Sequence, residues 1–159
     1  MIGLDVMVEA DGWSRLDDPE ALARRAVEAA FGAISDPPRD DVEVSLLLAD
    51  DAAVEALNRD FRAKDKPTNV LSFPAAAQPG VPGPRFLGDI AMAYETVARE
   101  AEEEGKAFED HATHLVVHGV LHLLGYDHEL EAQAQIMEAL EVKALATLGI
   151  ADPYRDMAA

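Results

Sequence analysis

Residues 118–128 read His118-Gly119-Val120-Leu121-His122-Leu123-Leu124-Gly125-Tyr126-Asp127-His128. His118 and His122 stand four apart, so on a helix they stack on one face about one turn from each other. Gly125 lets the chain leave that helix, because glycine accepts the left-handed backbone a C-terminal cap requires. The turn through Tyr126 and Asp127 then brings His128 back toward the other two rings. Three imidazoles converging in this way can hold one metal ion and leave a fourth position for water, the pattern of catalytic zinc. Histidine-only ligation also admits other divalent ions.

The spacing is that of the zinc peptidase motif H-E-x-x-H-x-x-G-x-x-H. The glutamate that takes a proton from water in those enzymes is replaced here by Gly119, so the spacing predicts a metal site without the peptidase base. All five histidines lie between residues 111 and 128. His114, four before His118, is a candidate partner behind a ligand or a residue near substrate. Its other reading is a hydrogen-bonded core or surface histidine. His111 carries a weaker case of the same kind. Asp127 can orient a ligand imidazole, act as an acid or base near the metal, or cap the turn.

Outward from this stretch, Phe108 to Leu124 reads as an apolar helix and Glu95 to Gly105 as an acidic one. The run Glu102-Glu103-Glu104 forms a solvated face of the latter. Ala132 to Leu148 is the last helix, its expected buried stripe being Ile136, Met137, Leu140, Ala144 and Leu145. Period-two alternation predicts strands at Ile2–Val8, Val42–Leu48 and Phe86–Tyr94, and Asn69–Phe73 reads as a short buried strand. Asp17-Asp18-Pro19 starts a helix with a capping carboxylate and an early proline. Asp50 or Asp51 caps a second helix, whose inner face is Val54, Leu57 and Phe61. Residues 74–84 hold four of the nine prolines and two glycines, a loop and a candidate lid. With no repeat and no linker, residues 1–159 read as one α+β domain. The expected architecture is a four-stranded sheet packed by about five helices, with a metal site at the end of a helix.

The chain has 159 residues, 49% of them hydrophobic, enough for a buried core. It has no cysteine, which excludes disulfides, thiolate metal sites and cysteine nucleophiles. No apolar run is long enough to span a bilayer, and the first residues do not read as a signal peptide, so a cytoplasmic protein without a membrane partner is expected. Thirty-one acids against 13 Lys and Arg give a net charge of −18, which argues against general binding to a phosphate backbone. One cluster departs from this: Arg59, Arg62, Lys64 and Lys66, offset by Asp60 and Asp65, leave a local +2. These cations suit phosphate oxygens or, equally, a helix C-terminus and its dipole.

Taken together, the two segments resemble the YbeY family of bacterial endoribonucleases, or rRNA maturation factors. The family signature H-G-x-L-H-L-x-G-Y-D-H is matched in full at His118–His128. A second signature, F/Y-R-x-K-D-x-P-T-N/D-V-L-S-F-P, is matched at Phe61–Pro74, and Leu87-Gly88-Asp89-Ile90 matches its L-G-D-I segment. The resemblance implies a zinc-dependent endoribonuclease that prefers single strands. It implies action in maturation of the small-subunit rRNA 3′ end and in ribosome quality control, with the ribosome or small-subunit proteins as partners and no DNA substrate. It implies one Zn2+ per chain held by His118, His122 and His128, and a role for Arg62 in activity. His122 and Arg62 are thus the expected catalytic residues, with Arg59, Lys64 and Lys66 as substrate-binding candidates. After His128 this chain reads Glu129-Leu130-Glu131-Ala132-Gln133, where family members often carry a longer acidic run. Two other readings stand beside the nuclease. One is a hydrolase of another substrate with Asp127 or Glu129 as base. The other is an assembly factor with a mainly structural zinc.

Overall fold

The computed structural model describes residues 1–62, 68–76, 79–80 and 82–154, save the side chain of Arg62. Its four strands are β1 (Ile2–Val8), β2 (Val42–Ala49), β3 (Val70–Pro74) and β4 (Arg85–Ala93). Its five helices are α1 (Pro19–Ala33), α2 (Asp51–Arg62), α3 (Tyr94–Glu104), α4 (Phe108–Leu123) and α5 (Glu131–Thr147). The expected α+β architecture is present, and most boundaries fall within a residue or two of the sequence pattern. Among the described residues, no helix is long and apolar enough to cross a membrane.

The sheet has the order β1-β2-β4-β3. β1, β2 and β4 run parallel, and β3 is antiparallel to β4. Strand alternation assigns the two faces. Val42, Val44, Leu46 and Leu48 of β2, with Ile90 and Met92 of β4, join a core completed by α1, α4 and α5. The opposite side chains, Ala49, Ala91 and Ala93, pack with Leu71 against Val54 and Leu57 of α2. The sheet therefore has α1, α4 and α5 on one side, with Val97 of α3 joining the same core, and the single short helix α2 on the other.

The helix starts follow their capping chemistry. Asp18 Oδ1 accepts the Ala21 N–H at 3.0 Å, and Asp50 Oδ1 accepts that of Ala53 at 2.8 Å, each satisfying a donor that the first turn leaves without a partner. Asp51 does something else. Its carboxylate accepts from the backbone N–H and the hydroxyl of Thr96, while Glu95 Oε1 accepts the Asp51 N–H. The starts of α2 and α3 cap one another across the chain.

Two features depart from the sequence reading. A 3-10 turn at Asp11–Arg15 carries Trp13, which is wholly buried. Its ring packs on Tyr94 and Phe108, and its indole N–H donates to the Ala49 carbonyl at 2.9 Å. Ile136, expected in the buried stripe of α5, is 57% exposed. The buried row is Met137, Glu141, Ala144 and Leu145, with Leu140 partly buried at its edge, so the expected stripe holds except that Ile136 turns outward and Glu141 turns in.

The outward position of Ile136 can be checked by urea denaturation. Ile136→Ser should change stability by less than about 0.5 kcal/mol. Leu145→Ala should cost about 2–5 kcal/mol, the usual effect of a core cavity. Comparable losses at both positions would contradict the observed facing of α5.

Candidate metal centre

α4 positions the site. It lies against the sheet at Gly119, where a Cβ would sit 3.0, 3.1 and 3.2 Å from three carbons of Ile90. Only a hydrogen fits that gap without the isoleucine yielding. Ser72 of β3 donates its hydroxyl to the Gly119 carbonyl at 3.4 Å. The residue that would be the peptidase glutamate thus faces β4, and a longer side chain would be driven into the sheet. Gly119 is explained by packing, and His118 and His122, together on the face beside it, are left only partly covered.

The end of α4 is a Schellman turn. Gly125, at φ +102°, donates its N–H to the His122 carbonyl, and the Tyr126 N–H reaches back to that of Leu121, both at 3.0 Å. Asp127 Oδ1 accepts the backbone N–H of His128 at 2.7 Å, the capping role among those open to it. This folds exposed His128 over the helix end. The ring centroids of His118, His122 and His128 lie 4.8–5.3 Å apart. One nitrogen from each falls within 4.8 Å of the others, so small ring rotations bring all three onto one ion. The donor set of three neutral nitrogens fits a divalent metal such as zinc.

Behind this triad is a residue the sequence reading passed over. Glu141 of α5 is wholly buried. Its Oε2 lies 3.0 Å from His118 Nδ1; its Oε1 lies 2.5 Å from His114 Nε2 and accepts the Tyr154 hydroxyl at 2.5 Å. Burial opposes the charge on this carboxyl, but hydrogen bonds from His114, His118 and Tyr154 outweigh it and hold the group at about 2. Burial, with the same carboxylate, pushes the Tyr154 phenol well above its ordinary range. His114 is therefore a buried partner of Glu141 and stands outside the triad. A glutamate one turn from Met137 and one turn from Leu145, on the apolar row of α5, was the available sequence signal.

The remaining candidates fall elsewhere. His111 Nε2 lies 2.9 Å from Glu100, whose same oxygen accepts from Asn69 at 2.9 Å, tying α4 to α3 and to the start of β3. Arg59 sits on α2, 3.4 Å from Asp60, on the opposite side of the sheet from α4. Asp89 is exposed and lines a cavity with Leu57, Phe61 and Phe73 on that same side. Lys64, Lys66 and the side chain of Arg62 lie outside the described residues, as do parts of the 74–84 loop.

Comparison with known proteins gives a consistent family. A family model described as "Endoribonuclease YbeY" matches residues 13–149. A protein named Endoribonuclease YbeY from Rhodopseudomonas palustris strain BisA53 is 53% identical over 156 residues, covering 96% of this chain and 90% of its own. Proteins of the same name from Bradyrhizobium diazoefficiens (53% identity; 96% of this chain, 85% of that one) and Nitrobacter hamburgensis (51%; 94% and 80%) are similar. The solution structure of TM1509 from Thermotoga maritima matches with a TM-score of 0.54 at 26% identity, covering 96% of this chain and 99% of that one.

The contact at Gly119 can be tested by mutation. Gly119→Ala should lower stability by about 1–3 kcal/mol through overpacking. Ile90→Val, which trims the crowding side chain, should recover part of that loss when combined with it. Strictly additive losses in the double mutant, measured by denaturation, would show that the two residues do not press on each other.

Proposed function

The chain belongs to the YbeY family of endoribonucleases, and from that premise we propose that it is a divalent-metal-dependent nuclease, with zinc as its ion, that cuts single-stranded RNA. The observation that carries the reading is the convergence of His118, His122 and His128 at one helix end. In this reading the three histidines hold the ion. When bound, such an ion supplies Lewis acidity toward a phosphoryl oxygen and makes a water more acidic.

The chain's own residues do the rest. Arg62 offers a planar guanidinium to the phosphoryl oxygens and stabilises charge that develops there. Lys64 and Lys66 are assigned to the neighbouring backbone, and Arg59, across the sheet from α4, meets only RNA that runs on beyond the histidines. The partial exposure of the histidine cluster, with His128 at the surface, supports an open, reactive site over a closed structural one. The absence of a glutamate at position 119 removes the peptidase base and favours a phosphodiester substrate.

Membership of the family supports a biological setting. We assign the chain to maturation of ribosomal RNA at the small-subunit 3′ end and to ribosome quality control, in the cytoplasm and in company with the ribosome or small-subunit proteins. A chain of net charge −18 repels RNA over most of its surface, so affinity must be supplied locally or by a partner. Binding to a single-stranded oligonucleotide should accordingly be weak and fall steeply between 50 and 200 mM salt, on the order of tenfold or more for a few phosphate contacts. Tight binding that ignores salt would contradict this.

Activity is tested with wild type, Arg62→Ala and His122→Ala, each first shown to be folded by circular dichroism. On single-stranded RNA, Arg62→Ala should lose about 100-fold or more in rate, as when a charge-stabilising donor is removed, and His122→Ala should be inactive. Equal cleavage by all three would point to a contaminant and remove the nuclease assignment. Elemental analysis of protein purified without chelator should find about one equivalent of metal in wild type and much less in His122→Ala.

A further inference from the structure

Among the described residues, the buried carboxylate of Glu141 is hydrogen-bonded by two imidazoles and a phenol and by no Lys or Arg. Such a group contributes little to stability for its own sake, since well-packed apolar residues often serve a core as well or better. Its geometry is asymmetric in a useful way. His114 and Tyr154 both engage Oε1, which fixes the plane of the carboxylate. Oε2 is then directed at His118 Nδ1, 3.0 Å away.

The two histidines stand one turn apart on α4 but offer opposite nitrogens. His114 gives Nε2 to the carboxylate, its Nδ1 is buried with no partner among the described residues, and it is not one of the three histidines whose nitrogens converge. His118 gives Nδ1. As a carboxylate accepts only, the proton of neutral His118 must sit on Nδ1, which leaves the lone pair on Nε2.

Tyr154 reaches this carboxylate from beyond the end of α5. The segment before it is held by Lys106, which donates to the Pro153 carbonyl at 3.1 Å, and by Asp152, which accepts the Tyr154 N–H at 2.8 Å. The tail beyond α5 is thus tied both to the α3–α4 connection and to the carboxylate behind His118.

We propose that Glu141, clamped by His114 and by Tyr154, is a positioning residue of the metal centre: it fixes the ring and tautomer of His118 so that Nε2 faces His122 and His128. The proposal rests on the reading of the three histidines as a metal site and extends it to the C-terminal segment. A carboxylate behind a ligand histidine both orients the ring and raises its basicity.

The test measures Zn2+ affinity of the full chain by competition with a chromophoric chelator, alongside circular dichroism and thermal midpoint. Glu141→Gln should keep the fold and weaken Zn2+ binding about 10–100-fold. Tyr154→Phe should fall between that variant and wild type. A folded Glu141→Gln protein with wild-type affinity overturns the proposal. Long-range nitrogen NMR of metal-free wild type reads the tautomer directly and does not depend on any variant folding. His118 protonated at Nδ1 is expected, and His118 protonated at Nε2 overturns the proposal. Wild type that binds no Zn2+ would instead defeat the metal-site reading, while the tautomer would still report whether Glu141 sets the ring.

Discussion

The close approach of α4 to the sheet at Gly119 is the constraint on which the rest of the site depends. With the helix backbone against Ile90, the rotation of α4 is set. His118 and His122 then emerge beside the sheet-facing row, and His114 turns into the layer filled by α5. The Schellman turn at Gly125 has a defined starting direction only because of that rotation, and it returns His128 to the same place. A bulkier residue at 119 would lift α4 and move the rings together, even though residue 119 itself does not touch them.

Much of this was legible in the sequence because it is local. Histidines four apart, a glycine three beyond and a histidine three further are a statement about one helix and its cap. The strands were legible for the same reason, since Val42, Val44, Leu46 and Leu48 sit on one face and bury together. What escaped was long-range. Asn69, Glu100 and His111 come from three elements, and nothing in any of them announces the other two. Trp13 sits in a short 3-10 turn with no periodicity to mark it, and its partner is a carbonyl on β2. The sheet order likewise depends on pairings between distant segments.

The error at Ile136 is instructive because it and the missed Glu141 have one cause. Hydropathy gathers Ile136, Met137, Leu140, Ala144 and Leu145 into one apolar stripe on α5 and passes over the glutamate beside it. The buried row instead centres on Met137, Glu141, Ala144 and Leu145, because His114, His118 and Tyr154 supply the donors that make a buried carboxylate tolerable. A charged residue inside an apolar row reads as an error in the pattern until its partners are found, and here the partners lie on another helix and in the tail.

The division between local and distant parts of the centre bears on how folding and metal binding are linked. His118, His122 and His128 lie within eleven consecutive residues, and closing so short a stretch costs little chain entropy even in the denatured ensemble. An ion therefore retains some affinity for the unfolded chain, and it stabilises the native state by less than its full binding free energy. If Glu141 positions His118 as proposed, part of the native-only share of that affinity would come from it, 23 residues from His118, and from Tyr154, which is 13 residues further on. Metal occupancy would then be tied to the folding equilibrium through the carboxylate and its phenol clamp as well as through the folded helix and turn that gather the three imidazoles.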